Sequence, residues 1–99
     1  MKNVEVIRTF INGGRKAKTT NLEIVNSSLF NYNTVIAEYT NEYGLILNVT
    51  KYSQSTSTIQ NALIRELKEA GMSYVIVSGL GYGASRLAGH YKQQNPNVA

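Results

Sequence analysis

The chain has 99 residues, of which 42% are apolar and 16% are charged, a size that predicts one domain with a single core. Cysteine and aspartate are absent and histidine occurs once, which removes disulfides and most metal-ligand sets and catalytic triads. We therefore expect a protein that is not an enzyme and that uses no cofactor and no metal.

The charge balance is basic, with ten Lys and Arg against six Glu and a net charge of +4. A small basic domain favours an acidic partner, most often nucleic acid, although a mild excess of lysine is also compatible with an ordinary soluble protein. The N-terminal run carries Glu5 and Arg8 and does not resemble a signal peptide. No apolar run approaches the roughly 20 residues of a membrane helix, so we expect a cytoplasmic protein without membrane contact.

The first half of the chain predicts two β-hairpins. Residues Val4 to Ile11 are rich in β-branched residues and predict a strand, and Asn12-Gly13 predicts a tight hairpin turn into a second strand from Thr19 to Val25. Strands from Thr34 to Thr40 and from Leu45 to Lys51 form the second hairpin. The tip of the first hairpin would be basic: Arg15, Lys16 and Lys18.

The second half predicts one long helix and a last strand. Ser57 and Gln60 have the spacing of a capping box, and apolar residues at helical spacing predict a helix from Thr58 to Ala70, ended by Gly71. Its apolar stripe consists of Ile59, Leu63 and Leu67. A fifth strand follows at 73–80, then a short C-terminal helix within 84–92.

The predicted order is ββββαβ. It indicates an α+β fold in which a mainly antiparallel five-stranded sheet carries one helix on one face. We expect a single domain over residues 1–99, with a folded core over 1–92 and a frayed tail over 93–99. One face of such a sheet would lack cover, which a homodimer would provide.

Two motifs resemble functional sites, but their sequence context does not support a chemical role. Gly79 to Gly83 has the glycine spacing of a dinucleotide-binding loop, but no second βα unit and no acidic residue follow, so a turn is favoured over a cofactor site. His90 has no aspartate to orient it and is interpreted as a surface residue rather than a general base.

Tyrosine is abundant, with seven residues in the chain. Tyr52, Tyr82 and Tyr91 lie outside the predicted strand interiors, where their rings would stack on bases while neighbouring Lys and Arg hold phosphates. Tyrosine is also common on half-buried sheet faces, which accounts for others in the chain. The hydroxyl-rich stretch 48–60 also has two interpretations. The helix N-terminus beside Lys51 and Ser53 would bind an anion, or the hydroxyls would simply cap the helix.

Two segments, Asn31 to Ala37 and Asn48 to Ser57 with Gln60, resemble a family of small bacteriophage and prophage proteins. The family pattern is a Tyr-Asn-Thr-x-Ile-Ala strand followed by a Thr-Lys-Tyr-Ser-x-Thr-Thr-Ser turn into a helix. The likeness covers roughly residues 22–67, and Ser55 stands where the pattern usually has threonine. It implies a phage or mobile-element setting, with location in the host cytoplasm, and supplies no function because the family's role is unknown.

These observations predict a non-enzymatic, phage-type small protein that binds nucleic acid or a nucleoprotein through a basic, tyrosine-containing surface. The alternative is a phage-encoded inhibitor of a host enzyme or defence complex, such as an anti-CRISPR, that acts by protein–protein binding. The candidate binding residues are Arg15, Lys16, Lys18, Lys51, Tyr52, Ser53, Tyr82, Arg86, Tyr91 and Lys92.

Overall fold

The structure, a computed structural model, describes residues 1–97. The described residues form three helices and one open six-stranded sheet. In chain order the elements are α1 (Asn3–Ile11), β1 (Lys16–Lys18), β2 (Leu22–Val25), β3 (Ser28–Asn31), β4 (Thr34–Thr40), β5 (Gly44–Asn48), α2 (Gln54–Glu69), β6 (Val75–Val77) and α3 (Ala88–Gln94).

The strands lie in the sheet in their sequence order, β1 to β6. Strands β1 to β5 form an antiparallel meander, whereas β6 pairs with β5 in parallel. A parallel neighbour requires a crossover, and α2 supplies it. The predicted α+β class with a mainly antiparallel sheet is confirmed, but the expected count of five strands and one main helix is wrong.

The first element differs most from the sequence-based prediction, because residues Val4 to Ile11 form a helix and not a strand. Its buried residues are Val6, Ile7, Phe10 and Ile11, a spacing that places all four on one helical face. The Glu5 carboxylate accepts a 2.7 Å hydrogen bond from the Lys2 backbone N–H and so helps to cap the first turn. Packing of this face outweighs the weak strand preference of β-branched residues.

Because α1 is a helix, Asn12-Gly13 does not form a hairpin. Gly13 has φ +87° in the turn that leads from α1 into β1. The predicted basic hairpin tip is therefore wrong: Lys16 and Lys18 lie in the edge strand β1, and Arg15 precedes it. Exposed lysines on an edge strand discourage pairing with another chain.

Other boundaries differ as well: β2 begins at Leu22 rather than Thr19, and β6 covers only Val75–Val77 of the predicted 73–80. Strand β3 lies inside the stretch that was predicted as a turn. Strand β5 ends at Asn48, three residues earlier than expected. Helix α2 begins at Gln54 with Ser53 as its N-cap, so Ser57 lies inside the helix and is not the cap. The helix ends at Glu69, one residue before the predicted end, and Gly71 follows the C-cap Ala70 with φ +68°.

Helices α1 and α2 pack side by side on one face of the sheet. Their core includes Phe10 from α1, Leu29 and Leu47 from the strands, and Leu63 and Leu67 from α2. Leu63 is 1% exposed, which confirms that the predicted apolar stripe of α2 faces the sheet.

The opposite face carries a second, smaller apolar cluster: Val35, Ile46, Val77, Leu80 and Leu87. The segment that follows β6 folds back over this face and covers it, so the expectation that this face lacks cover was wrong.

Helix α3 extends into the segment that was expected to be a frayed tail. Its last residue, Gln94, makes two side-chain hydrogen bonds with the backbone of Ser78 beside β6, at 2.7 and 3.3 Å. The expectation for 93–99 is thus wrong for Gln93 and Gln94, and Val98 and Ala99 lie outside the described residues.

Candidate functional site: a tyrosine surface at one end of the sheet

Three tyrosines meet at one end of the sheet, which we call the tyrosine end. Tyr32 lies in the β3–β4 turn, Tyr52 lies just before α2, and Tyr82 lies in the loop that follows β6. Together with polar neighbours they line a pocket of about 120 Å³: Asn31, Tyr32, Thr34, Tyr52, Ser53, Thr56 and Tyr82. Of the predicted binding residues, the structure thus brings Tyr52, Ser53 and Tyr82 together.

Tyr52 is the fixed wall of this pocket. Its hydroxyl donates a 3.1 Å hydrogen bond to the carbonyl of Gly81 and accepts a 2.9 Å hydrogen bond from the buried amide of Asn48. The ring of Tyr82 packs against it, with centroids 4.8 Å apart and planes inclined by 45°. Tyr82 nevertheless remains 77% exposed, so most of this ring faces solvent.

Tyr32 forms the other exposed wall and adopts an unusual backbone conformation. Its φ is 55°, in the left-handed region that bulky residues rarely occupy. Its backbone N–H donates to the carbonyl of Asn21 at 2.9 Å, and its side chain is 67% exposed. Asn26 has nearly the same φ, 56°, at the first position of the β2–β3 turn, so the turn sets this conformation and leaves the Tyr32 ring in solvent.

Hydrogen bonds of three lining residues, Asn31, Thr34 and Thr56, hold the elements around the pocket together. The Thr56 hydroxyl donates to Oδ1 of Asn31 at 2.8 Å, and Thr34 Oγ1 accepts the backbone N–H of Gly83 at 2.9 Å. These bonds tie α2 and the Tyr82 loop to the sheet. The backbone segments that carry Tyr52 and Tyr82 are therefore fixed before any partner arrives, which lowers the entropic cost of binding.

The segment 48–60 provides the scaffold below the tyrosines. Ser53 Oγ accepts the backbone N–H of Thr56 at 3.3 Å, which is the N-cap contact. Gln60 donates to the carbonyls of Asn48 and Thr50 at 2.7 and 3.0 Å. The capping interpretation of this segment is thus confirmed for Ser53, whereas anion binding at the helix N-terminus stays a prediction.

The cations of the predicted site do not gather at one place. Lys51 is exposed directly beside Tyr52 at the tyrosine end. Lys16 and Lys18 lie on edge strand β1, and Lys92 lies in the last turn of α3. Tyr91 packs against Tyr43 with ring centroids 4.9 Å apart, so its ring belongs to the second apolar cluster.

The two arginines lie at the opposite end of the sheet, where they line a cleft of about 740 Å³ that we call the arginine cleft. Arg15 enters it from the α1–β1 turn, and Arg86 enters it from the segment before α3. Tyr39 forms part of the cleft wall. Burial raises the pKa of Tyr39, and its phenol donates to the last carbonyls of α1, those of Phe10 and Ile11.

Sequence reasoning missed Tyr32. Its signal was an aromatic residue between two asparagines, in a stretch whose asparagines indicate a turn. An aromatic ring at a turn position is exposed unless something covers it. The turn was recognised, but its place beside Tyr52 and Tyr82 depends on strand pairing across the sheet.

Over residues 1–97, no group of three or more metal-ligating His, Cys, Asp or Glu side chains comes together. Within the same range, none of the helices has the length and apolar character needed to cross a membrane. No family model, curated protein or solved structure matches the chain. The likeness of its two motifs to the phage family therefore stays a prediction.

Proposed function

We propose that this protein binds single-stranded nucleic acid, with bases stacked on the exposed rings of the tyrosine end. The observation that carries the proposal is the pair of exposed rings, Tyr32 and Tyr82, on either side of a preformed pocket backed by Tyr52. Base–aromatic stacking contributes about 1–3 kcal/mol per base and accepts any base, because each has a π-face. The proposed binding is accordingly tolerant of sequence.

Single-stranded rather than duplex nucleic acid fits this geometry. In a duplex the base faces are stacked on each other and are not accessible to an aromatic side chain, whereas unpaired bases splay out and stack on protein rings. The pocket of about 120 Å³ is small and offers rings rather than a groove for a helix. The polar side chains of Asn31, Thr34 and Thr56 in its lining are engaged in the contacts described above, which favours stacking over reading of base edges.

The charge at this end supports weak electrostatic assistance. Lys51 is exposed beside Tyr52, and the N-terminus of α2, with its partial positive charge, lies in the same place. Arg15 and Arg86 are at the other end of the sheet and do not contribute. With few phosphate contacts, affinity in the micromolar range or weaker is expected at physiological salt.

The test is a fluorescence anisotropy titration with a labelled oligothymidine of about 15 nucleotides at about 50 mM salt. Tyr82→Ala and Tyr32→Asn should each weaken binding by about 1–3 kcal/mol. Asparagine is chosen at position 32 because it tolerates the left-handed backbone, so the ring is removed without added strain. Val25→Ala, an exposed apolar residue on β2, is the matched control and should bind like the wild type.

The same titration tests the basic side chains with one variant and one matched control. Lys51→Gln should lower the salt slope by about 0.7, the value for one phosphate contact on a single strand. Arg15→Gln, at the other end of the sheet, should leave the slope unchanged. No binding at about 50 mM salt would contradict the proposal, as would tyrosine variants that bind as tightly as the wild type.

A protein partner is the second candidate, because exposed tyrosines beside a pocket are also typical of interaction hot spots. A phage-encoded inhibitor that used the tyrosine end would lose its partner in Tyr32 and Tyr82 variants. It would show no oligonucleotide binding and only a weak dependence on salt. The two candidates therefore differ in the outcome of the same titration.

A further inference from the structure

The arginine cleft is a large concavity, and the proposed function does not use it. Its volume of about 740 Å³ falls within the range of roughly 300–1,000 Å³ for small-molecule sites. It lies where the turns β2–β3 and β4–β5 meet the end of α1, and the residues before α3 close one side.

The cleft combines positive and negative charge. Glu38, 4% exposed, accepts the Leu87 backbone N–H at 2.8 Å through one carboxylate oxygen. Its other oxygen lies 3.5 Å from Nη1 of Arg86. The buried carboxylate thus holds the start of the α3 segment and keeps Arg86 at the cleft.

Arg86 retains most of its binding capacity. A guanidinium has five N–H donors in a planar fork, and the Arg86 side chain is 85% exposed with one atom near Glu38. Arg15 adds a second exposed guanidinium, and Glu42 adds an exposed carboxylate from the β4–β5 turn. The lining charges of the cleft are therefore balanced, two of each sign.

The balanced charge of the cleft indicates which class of ligand it binds. A polyanion would meet Glu38 and Glu42, and a simple cation would meet Arg15 and Arg86. A molecule with a carboxylate beside an ammonium group matches both signs, since arginine binds carboxylates through two parallel hydrogen bonds. The side-chain amides of Asn26 and Asn41 on the rim add neutral donors and acceptors.

We propose that the arginine cleft binds a small zwitterion of the α-amino-acid class. The ligand carboxylate lies against Arg86 and Arg15, and the ammonium group faces the exposed carboxylate of Glu42. No covalent step is involved. This site is separate from the tyrosine end, and binding there does not depend on nucleic acid.

The test is a two-dimensional NMR titration of the ¹⁵N-labelled chain with glycine, alanine, glutamate and lysine. Acetate and methylamine, which carry only one charge each, are the control probes. At least one amino acid should shift the amides of Gly14, Arg15 and Ser27 with a Kd at least about tenfold below that of either control probe. No shift with any of the four amino acids would overturn the proposal, as would equal binding of acetate.

Three exposed-residue variants locate the contacts without threatening the fold. Arg86→Gln, Arg15→Gln and Glu42→Gln should each weaken binding of the same amino acid by about tenfold, the value of one charge-assisted contact. Lys92 is an exposed cation of α3 that does not line the cleft, so Lys92→Gln should leave binding of the amino acid unchanged. Unchanged binding in all three variants would place the ligand elsewhere and overturn the assignment.

Discussion

The hydroxyl of Thr56 donates a 2.8 Å hydrogen bond to Oδ1 of Asn31, and both residues are buried. The amide nitrogen of Asn31 in turn donates to the carbonyl of Asn21 at 3.0 Å. One side chain thereby joins the first turn of α2, the end of β3 and the β1–β2 turn. Tyr32 follows the end of β3 and Tyr52 precedes α2, so these contacts join the elements that carry two of the three tyrosines.

Asn31→Ala should therefore destabilise the fold. It removes the hydrogen bonds of Asn31 to the Thr56 hydroxyl and to the Asn21 carbonyl, each of which contributes about 0.5–1.5 kcal/mol. The measurement is the free energy of unfolding from a urea titration. Asn61→Ala, at an exposed position of α2, is the control and should be close to neutral. Equal stability of the two variants would show that the Asn31 contacts contribute nothing.

The N-cap of α2 gives a second prediction with an internal control. Ser53→Ala removes the oxygen that accepts the Thr56 N–H and should cost about 0.5–2 kcal/mol. Ser57→Ala lies in the helix interior and should cost nothing or stabilise slightly, because alanine is the better helix former. Thermal unfolding of the two variants compares them directly, and a larger loss for Ser57→Ala would place the cap where the capping-box spacing predicted it.

The core of the helix side predicts a larger effect. Leu63 is 1% exposed among side chains of α1, the sheet and α2. Leu63→Ala should lower the free energy of unfolding by about 2–5 kcal/mol, since both transfer free energy and a cavity contribute. Such a loss is a large part of the stability of a small domain. A urea titration that finds less than about 1 kcal/mol would contradict this packing.

Acid sensitivity follows from one ion pair between the helices. Nε of Arg8 lies 2.8 Å from Oε1 of Glu66, and this hydrogen bond, with the arginine charge, lowers the pKa of Glu66 below its ordinary value of 4.5. A lowered pKa in the folded state gives stability that is present above the unfolded pKa and is lost as the pH falls through the folded pKa.

The wild type should thus lose stability as the pH falls below about 4.5, and Glu66→Gln should show a flatter profile there. Urea unfolding over that pH range measures the difference. Glu69→Gln, an exposed carboxylate on the same helix, should retain the slope of the wild type. Parallel profiles for wild type and Glu66→Gln would mean that the pair with Arg8 does not contribute.

The elements with a clear period were predictable from the sequence. Thr34–Thr40 matches β4 at both ends, and the stripe of Leu63 and Leu67 identified the buried face of α2. The helix over Val4–Ile11 was not predictable from the sequence. The β-branched composition of this segment favours a strand and its apolar spacing favours a helix, and only packing on the sheet decides between them.

Only part of the tyrosine end was predictable from the sequence. Tyr52 and Tyr82 were selected because they lie outside strands, but their contact spans 30 positions of the chain and depends on the parallel pairing of β5 with β6. The basic residues were wrongly grouped, since the supposed hairpin tip rested on the error in the first element. Local patterns do not fix which loops share an end of the sheet.

The central claim is that bases stack on Tyr32 and Tyr82, and photo-cross-linking tests it most directly. An iodouracil-containing single-stranded oligonucleotide is bound to the wild-type chain and irradiated, and the attached residues are identified by mass spectrometry of the proteolysed complex. We expect covalent attachment at Tyr32, Tyr82 or both, with loss of each adduct in Tyr32→Asn or Tyr82→Ala. Attachment confined to Tyr43, Tyr74 or Tyr91, or no attachment by an oligonucleotide that binds, would contradict the claim.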